Sequence, residues 1–351
     1  MRVYEVVDLA TSDAPPLRTD VEAIVAAGRR RRRNRRLAIG TGVPVAVAVL
    51  AATAIAVPIR LSREAAPMPV APAEAAPALT FPAPSGPFTF TIKPYKAGAY
   101  RVATLTAVGA AYQRGPVYKD GRQAVAELVV YRPGAFAPDQ LRSPKKVTVA
   151  GHPGWTATSS LRHPVLAWEY ASGAWATLES VGVPQKDQIA IAAGLVPGPQ
   201  VPARLPFTVG RVPAGYVPIE ATDGSYPGPQ LGDTPAITHY GGVLFNNPAP
   251  AATGLTEPWN YGIGRTGGFY IAIVPASESN YQLKPGEPRP SSPSCASEAL
   301  CHWWSRDGQT QIELVGDGKI PDGELIRILR SVQLADLAHP ETWPLASDVV
   351  K

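Results

Sequence analysis

Residues 302–315, His-Trp-Trp-Ser-Arg-Asp-Gly-Gln-Thr-Gln-Ile-Glu-Leu-Val, decide the fold class of the larger part of this chain. Asp307-Gly308 is a strong hairpin signal, because both residues tolerate the left-handed backbone that a tight turn demands. It places one strand over His302–Ser305 and a second over Thr310–Val315. Just beyond, Leu325, Ile326, Ile328, Leu329 and Val332 share one helical face, predicting a helix over about 322–332.

Working outward, the same signature occurs earlier. Trp168 precedes Gly173 at the spacing of Trp303 and Gly308. Val183-Pro184, Asp187, Ile189 and Ile191 line up with Ile320-Pro321, Glu324, Ile326 and Ile328. Phe90-Thr91-Ile92, followed by Ala97-Gly98-Ala99-Tyr100, matches Phe207-Thr208-Val209, followed by Ala214-Gly215-Tyr216. These matches predict two tandem copies of one unit, over 88–200 and 201–336, with a longer insert in the second and a C-terminal tail at 337–351.

In the first unit, turn signals at Asp120-Gly121, Pro133-Gly134, residues 151–154 and Ser172-Gly173 separate the candidate strands. Those strands are 88–93, 125–131, 146–150, 154–159, 165–170 and 174–181, with a helix at about 185–194. In the second, strands are expected at 207–211, 237–240, 241–245 and 269–274 before the closing hairpin. Strands followed by one helix imply an antiparallel sheet with a packed C-terminal helix, the α+β class.

Cys295 and Cys301 are the only cysteines. A bridge between them closes a short loop worth about 2 kcal/mol on the chain-entropy estimate. The rival, a metal pair with His302, lacks a further ligand nearby. Trp303 and Trp304 are adjacent, so on a strand they face opposite sides. One is expected in the core. The other is either an exposed platform for a glycan or protein partner, or is covered by the Cys295–Cys301 loop.

The composition is 45% hydrophobic and 17% charged, which excludes a wholly disordered polyelectrolyte. The 39 prolines and 32 glycines follow no collagen period and imply loops and linkers. The net charge of +5 is uneven. Residues 1–36 hold nine arginines against five acids, and residues 60–351 hold 24 basic against 23 acidic residues. The near-neutral larger part argues against a nucleic-acid footprint.

Leu37–Ile59 is a run of 23 residues without a charge. As a helix it would rise about 35 Å, enough to cross a lipid core of about 30 Å. Seven arginines lie in 29–36, and only Arg60 and Arg63 follow closely. The positive-inside rule then predicts a single-pass anchor with its N-terminus in the cytoplasm and its C-terminal part outside, with the lipid bilayer as a partner. A cleaved signal peptide and a nucleic-acid-binding arginine run are the alternatives; the long leader and the full-length apolar span favour the anchor.

Thr19-Asp20-Val21-Glu22 fits a capping box, predicting a short helix over about 20–35 in the 1–36 tail. The tail either docks a cytoplasmic protein or only sets topology. Residues 64–87 contain seven prolines and eight alanines, so 60–87 reads as an extended linker.

The five histidines, His152, His163, His239, His302 and His339, make no paired metal spacing. No nucleophile elbow or phosphate-binding Gly-Lys loop occurs. Gly262-Ile263-Gly264-Arg265-Thr266-Gly267 matches a dinucleotide fingerprint but leads into a strand-like run, where the motif needs a helix. No cofactor, metal or catalytic residue is expected.

The order of parts, Pro15-Pro16-Leu17-Arg18-Thr19-Asp20-Val21 through Arg29–Arg36 to the span and the Ala/Pro-rich linker, resembles actinobacterial single-pass membrane proteins. Some of that group look like anti-sigma factors. The resemblance implies an outer sensor domain and a regulatory tail, although no His or Cys precedes residue 152 to supply a zinc anti-sigma site. The expectation is a non-catalytic extracytoplasmic binding or sensing protein, with an envelope ligand and a cytoplasmic partner. A cell-envelope hydrolase, with His239 or His302 beside an acid, and a structural envelope protein are the alternatives.

Overall fold

The Asp307-Gly308 turn joins two antiparallel strands in the computed structural model, and a ladder grows from them across the whole molecule. The structure describes residues 83–120, 123–224, 240–259, 267–279, 283, 289–297 and 299–350, all within one compact unit, Ala71–Lys351. The expected capping box, the apolar run 37–59, residues 60–82 of the linker, the strand at 237–240 apart from Tyr240, His239 and most of Gly262–Gly267 lie outside the described residues.

In chain order the first stretch forms β1 (Thr89–Ile92), β2 (Tyr95–Ala97), β3 (Tyr100–Val102), β4 (Ala107–Gly109), β5 (Tyr112–Lys119), β6 (Gln123–Tyr131), β7 (Lys145–Val149), β8 (His152–Thr158), β9 (Pro164–Ala171), β10 (Ala174–Ser180), α1 (Gln185–Ala193) and β11 (Pro197–Pro202). The second forms β12 (Phe207–Val209), β13 (Val217–Asp223), β14 (Gly241–Asn246), β15 (Gly268–Pro275), β16 (Ser294–Ser297), β17 (Leu300–Trp304), β18 (Thr310–Gly316), α2 (Asp322–Arg330) and β19 (Val332–Leu334).

Thirteen of these strands run in one antiparallel path, β16-β17-β18-β15-β14-β13-β4-β5-β6-β10-β9-β8-β7, while β3 pairs with the far end of β5 and β2 with β3. The path crosses from one stretch to the other at β4–β13, where Gly109, Val108 and Ala107 face Glu220, Ala221 and Thr222. Outward from that seam the two wings follow similar orders. Each ends in a hairpin, a helix and a short strand that returns to the wing's first strand, β11 to β1 and β19 to β12. At the outer edges lie β7, with Lys145 and Lys146 exposed, and β16.

Period-2 alternation gives the sheet two unlike faces. In β10, Ala174, Ala176 and Leu178 join the main apolar cluster, while Trp175, Thr177 and Glu179 point the other way. In β6, Leu128 and Val130 join that cluster, and Val129 and Tyr131 belong to an aromatic cluster on the opposite side. The helices pack on the apolar face. From α2, Leu325, Ile328 and Leu329 are fully buried there; α1 contributes Ile191 and Ala192.

The architecture corrects the expected α+β class. Among the described residues there are nineteen strands and two helices of nine residues each, so the molecule is a large antiparallel β-sheet protein. The helices expected at 185–194 and 322–332 are short covering elements, too small to form a helical layer beside the sheet. The expected single-pass membrane placement is also not supported. No described helix is long and apolar enough to cross a membrane. Nine helical residues rise about 14 Å, under half of a lipid core.

Candidate functional site

The face opposite the helices carries charge in places that strand sequences usually leave apolar. Arg114 of β5 is fully buried. Its Nη1 donates to Glu127 Oε1 of β6 at 2.7 Å, and its Nη2 and Nε donate to Glu220 Oε1 and Oε2 of β13 at 2.8 and 3.2 Å. Tyr112 Oη donates to Glu220 Oε2 at 2.5 Å and accepts the backbone N–H of Trp259 at 2.9 Å. Burial, then the adjacent Glu220 charge, pushes the Tyr112 hydroxyl well above the usual tyrosine range. These groups satisfy one another across the seam between the wings, which makes them a structural tie rather than a docking point.

Beside this tie, residues 247–259, the strap between β14 and β15, reach from the second wing onto the first. Leu255 N–H donates to Ala135 O at 2.9 Å, and Ala137 N–H to Leu255 O at 2.8 Å. Ser160 holds the strap's carboxylate, its N–H and Oγ donating to Glu257 Oε1 and Oε2 at 2.7 Å each. Beneath the strap, a cleft of about 170 Å³ opens between β6, β10, the β8–β9 turn and the loop bearing Gln140, Leu141 and Arg142.

The cleft floor is polar and held in place. Glu179 Oε1 accepts Ser159 Oγ at 2.9 Å and pairs with His163 Nδ1 at 2.8 Å. Tyr131 is fully buried, its ring packed against Phe136 at 4.8 Å. Its hydroxyl is shut off from solvent beside Thr177 and feels the Glu127 and Glu257 charges. Burial pushes that hydroxyl above the usual range. Arg142 is exposed at the mouth and makes no hydrogen bond or ion pair with any described residue.

A second cavity, about 310 Å³, lies under β1. Several of its polar groups are matched within the fold. Thr91 N–H donates to Gln113 Oε1 at 2.8 Å, and Gln113 Nε2 donates to Thr91 Oγ1 at 2.6 Å. Arg132 Nη2 reaches the carbonyls of Gly86, Pro87 and Gly109. That cavity is where the incoming chain is pinned to the sheet.

The residues singled out in the sequence gather at the far edge of the second wing. Cys295 and Cys301 are directly opposed across β16 and β17, with their sulfurs at bonding distance. Trp304 is buried and packs edge-on against His302 at 4.8 Å; Trp303 is half-buried against the apolar cluster. His302 Nε2 lies 3.1 Å from Ser294 Oγ, and its ring faces Glu313 across the β17–β18 ladder. Its burial, 1% exposed, lowers its pKa from the usual value. His152 opens β8 just after a turn in which Ala150 and Gly151 take positive φ.

Arg114, Glu127, Glu220, Glu179 and Tyr131 were not singled out by sequence motifs. The signal available was a charge inside an apolar strand run, as in Val125-Ala126-Glu127-Leu128-Val129, since a buried charge demands a partner. No family model matches the chain, and no curated protein does either.

Proposed function

We propose that this chain is a non-catalytic binding protein whose ligand site is the cleft beneath the strap. One observation carries the reading. The cleft holds two carboxylates fixed by neutral donors, Glu179 by Ser159 and Glu257 by Ser160, beside an exposed Arg142 that forms an ion pair with no described residue. A small charged or polar ligand would answer these groups. Because the walls come from both wings, occupancy would hold the strap against the first wing, which is the coupling a sensor needs. At about 170 Å³ the cleft is smaller than the roughly 300–1,000 Å³ of drug-sized sites, so the ligand is a small molecule.

The hydrolase alternative finds its nearest constellation in Ser294, His302 and Glu313. It is disfavoured because the His302 ring is wedged against Trp304 and 1% exposed, leaving a substrate no approach to the base.

A thermal-shift screen of small polar metabolites tests the binding reading, comparing the wild type with Leu141→Trp, which fills the cleft mouth. A ligand at a hundred times its Kd adds about 2.7 kcal/mol, which for a unit of this size raises Tm by about 5–10 °C. Stabilisers that lose their effect in Leu141→Trp support the cleft. A screen with no stabiliser, or with stabilisers indifferent to the plug, refutes it.

A further inference from the structure

We propose that the cleft recognises a small zwitterion, a free α-amino acid with a short side chain. The inference rests on the binding reading above and names its ligand class. The cleft is lined by charges of both signs that do not neutralise each other. Glu257 spends its two oxygens on neutral donors of Ser160 and on no cation, so it is fixed in place. Glu179 is fixed by Ser159 and by His163, the one nearby imidazole, which is thereby committed to it. Arg142 shares the cleft with both carboxylates, yet forms an ion pair with neither. An ammonium group placed inward meets the Glu257 side, while a carboxylate directed to the mouth meets the Arg142 guanidinium, whose planar fork matches it.

Other small ligands fit the charges less well. A simple amine leaves Arg142 unmatched. A simple anion meets two carboxylates. A neutral sugar satisfies hydroxyls but neither sign of charge. Val129, Leu141, Val165 and Pro258 supply apolar wall for a methyl-sized side chain, and the volume of about 170 Å³ leaves little room for a large one.

The test is calorimetric titration of the whole chain with L-alanine, L-alaninamide (no carboxylate), N-acetyl-L-alanine (no ammonium) and glucose. L-Alanine should bind, and each derivative should bind at least about tenfold more weakly. In Arg142→Gln, a substitution at an exposed position, alanine and alaninamide should become equal. In Glu257→Gln, the preference for alanine over N-acetylalanine should collapse, while that over alaninamide remains. A purely structural role of either residue would weaken all ligands alike and leave the ratios unchanged. The zwitterion assignment falls if alaninamide or N-acetylalanine binds as well as alanine, if the ratios survive both substitutions, or if alanine, glycine and serine all fail to bind. If glucose binds instead and Leu141→Trp abolishes it, the assignment falls while the cleft stands. Only a metabolite screen without any plug-sensitive stabiliser removes the cleft as well.

Discussion

Arg114 shows how much of this fold depends on one side chain. Its guanidinium lies between two carboxylates contributed by different wings, and all three side chains are buried. Arg114→Met would leave Glu127 and Glu220 on one buried face without the cation between them, a change worth about 3–5 kcal/mol. Denaturant titration should show that loss, and the Tm should fall by roughly 10 °C. The tyrosines give a pH signature. Burial raises the hydroxyls of Tyr112, Tyr131 and Tyr170, and pushes Tyr270 up to about 12. Above pH 10 the unfolded chain therefore releases protons that the folded one retains, so stability is intact below pH 10 and falls as pH rises from 10 through about 12. Tyrosinate absorbance should accordingly appear together with unfolding in an alkaline titration. A stepwise rise at constant secondary structure would contradict this. None of these partnerships was legible in the sequence. Arg114 sits beside Gly115 and Pro116, a pair that reads as a turn, and nothing local indicates that a strand more than a hundred residues away supplies Glu220.

At the scale of elements, β5 explains why the sequence reading passed over it. Proline inside a strand normally marks an edge, yet β5 runs through the centre. Pro116 is accommodated where β5 changes partner, between its pairing with β4 at Arg114 and with β3 at Val117. Gly115 is required there because an added Cβ would stand 2.7 Å from Leu105 Cα. Strands with clean alternation and flanking turns, such as 165–170 and 174–181, fall within a residue or so of β9 and β10. Those of three residues, β2, β3, β4, β12 and β19, hold too few positions to show a period, and β12 is reached only through its likeness to β1. The strap is the element on which the cleft depends. Tyr112→Phe removes the acceptor of the Trp259 N–H and the donor to Glu220, and should cost about 1–3 kcal/mol. Hydrogen exchange at the amides of Leu255 and Trp259 should accelerate well beyond that of β9 and β10. Uniform acceleration across the sheet would mean that the strap does not open independently.

For the whole molecule, the decisive join is the β4–β13 seam, only three residue pairs long but reinforced by the Arg114 tie. With a buried ion pair bridging it, neither wing can leave without exposing a charged half-site. Calorimetry on the chain should therefore show one transition for the described unit, with calorimetric and van 't Hoff enthalpies in agreement. Two resolved transitions would show that the seam transmits nothing. The repeated signature in the sequence pointed to two similar ladders but not to their fusion, because hydrogen bonding between β4 and β13 depends on backbone edges rather than on side-chain pattern. The same signature overstated the helices, since those at 185–194 and 322–332 span only about two and a half turns each.

The main path of the ribbon still ends in two margins, and each unsatisfied margin is a template on which another chain could add a strand. Lys145 and Lys146 place adjacent ammonium groups along one margin, where a second copy would have to bring its own lysines into contact with them. The paired sulfurs clasp the short ribbon at the other margin. Both ends of that path thus carry features that discourage the addition of a further strand.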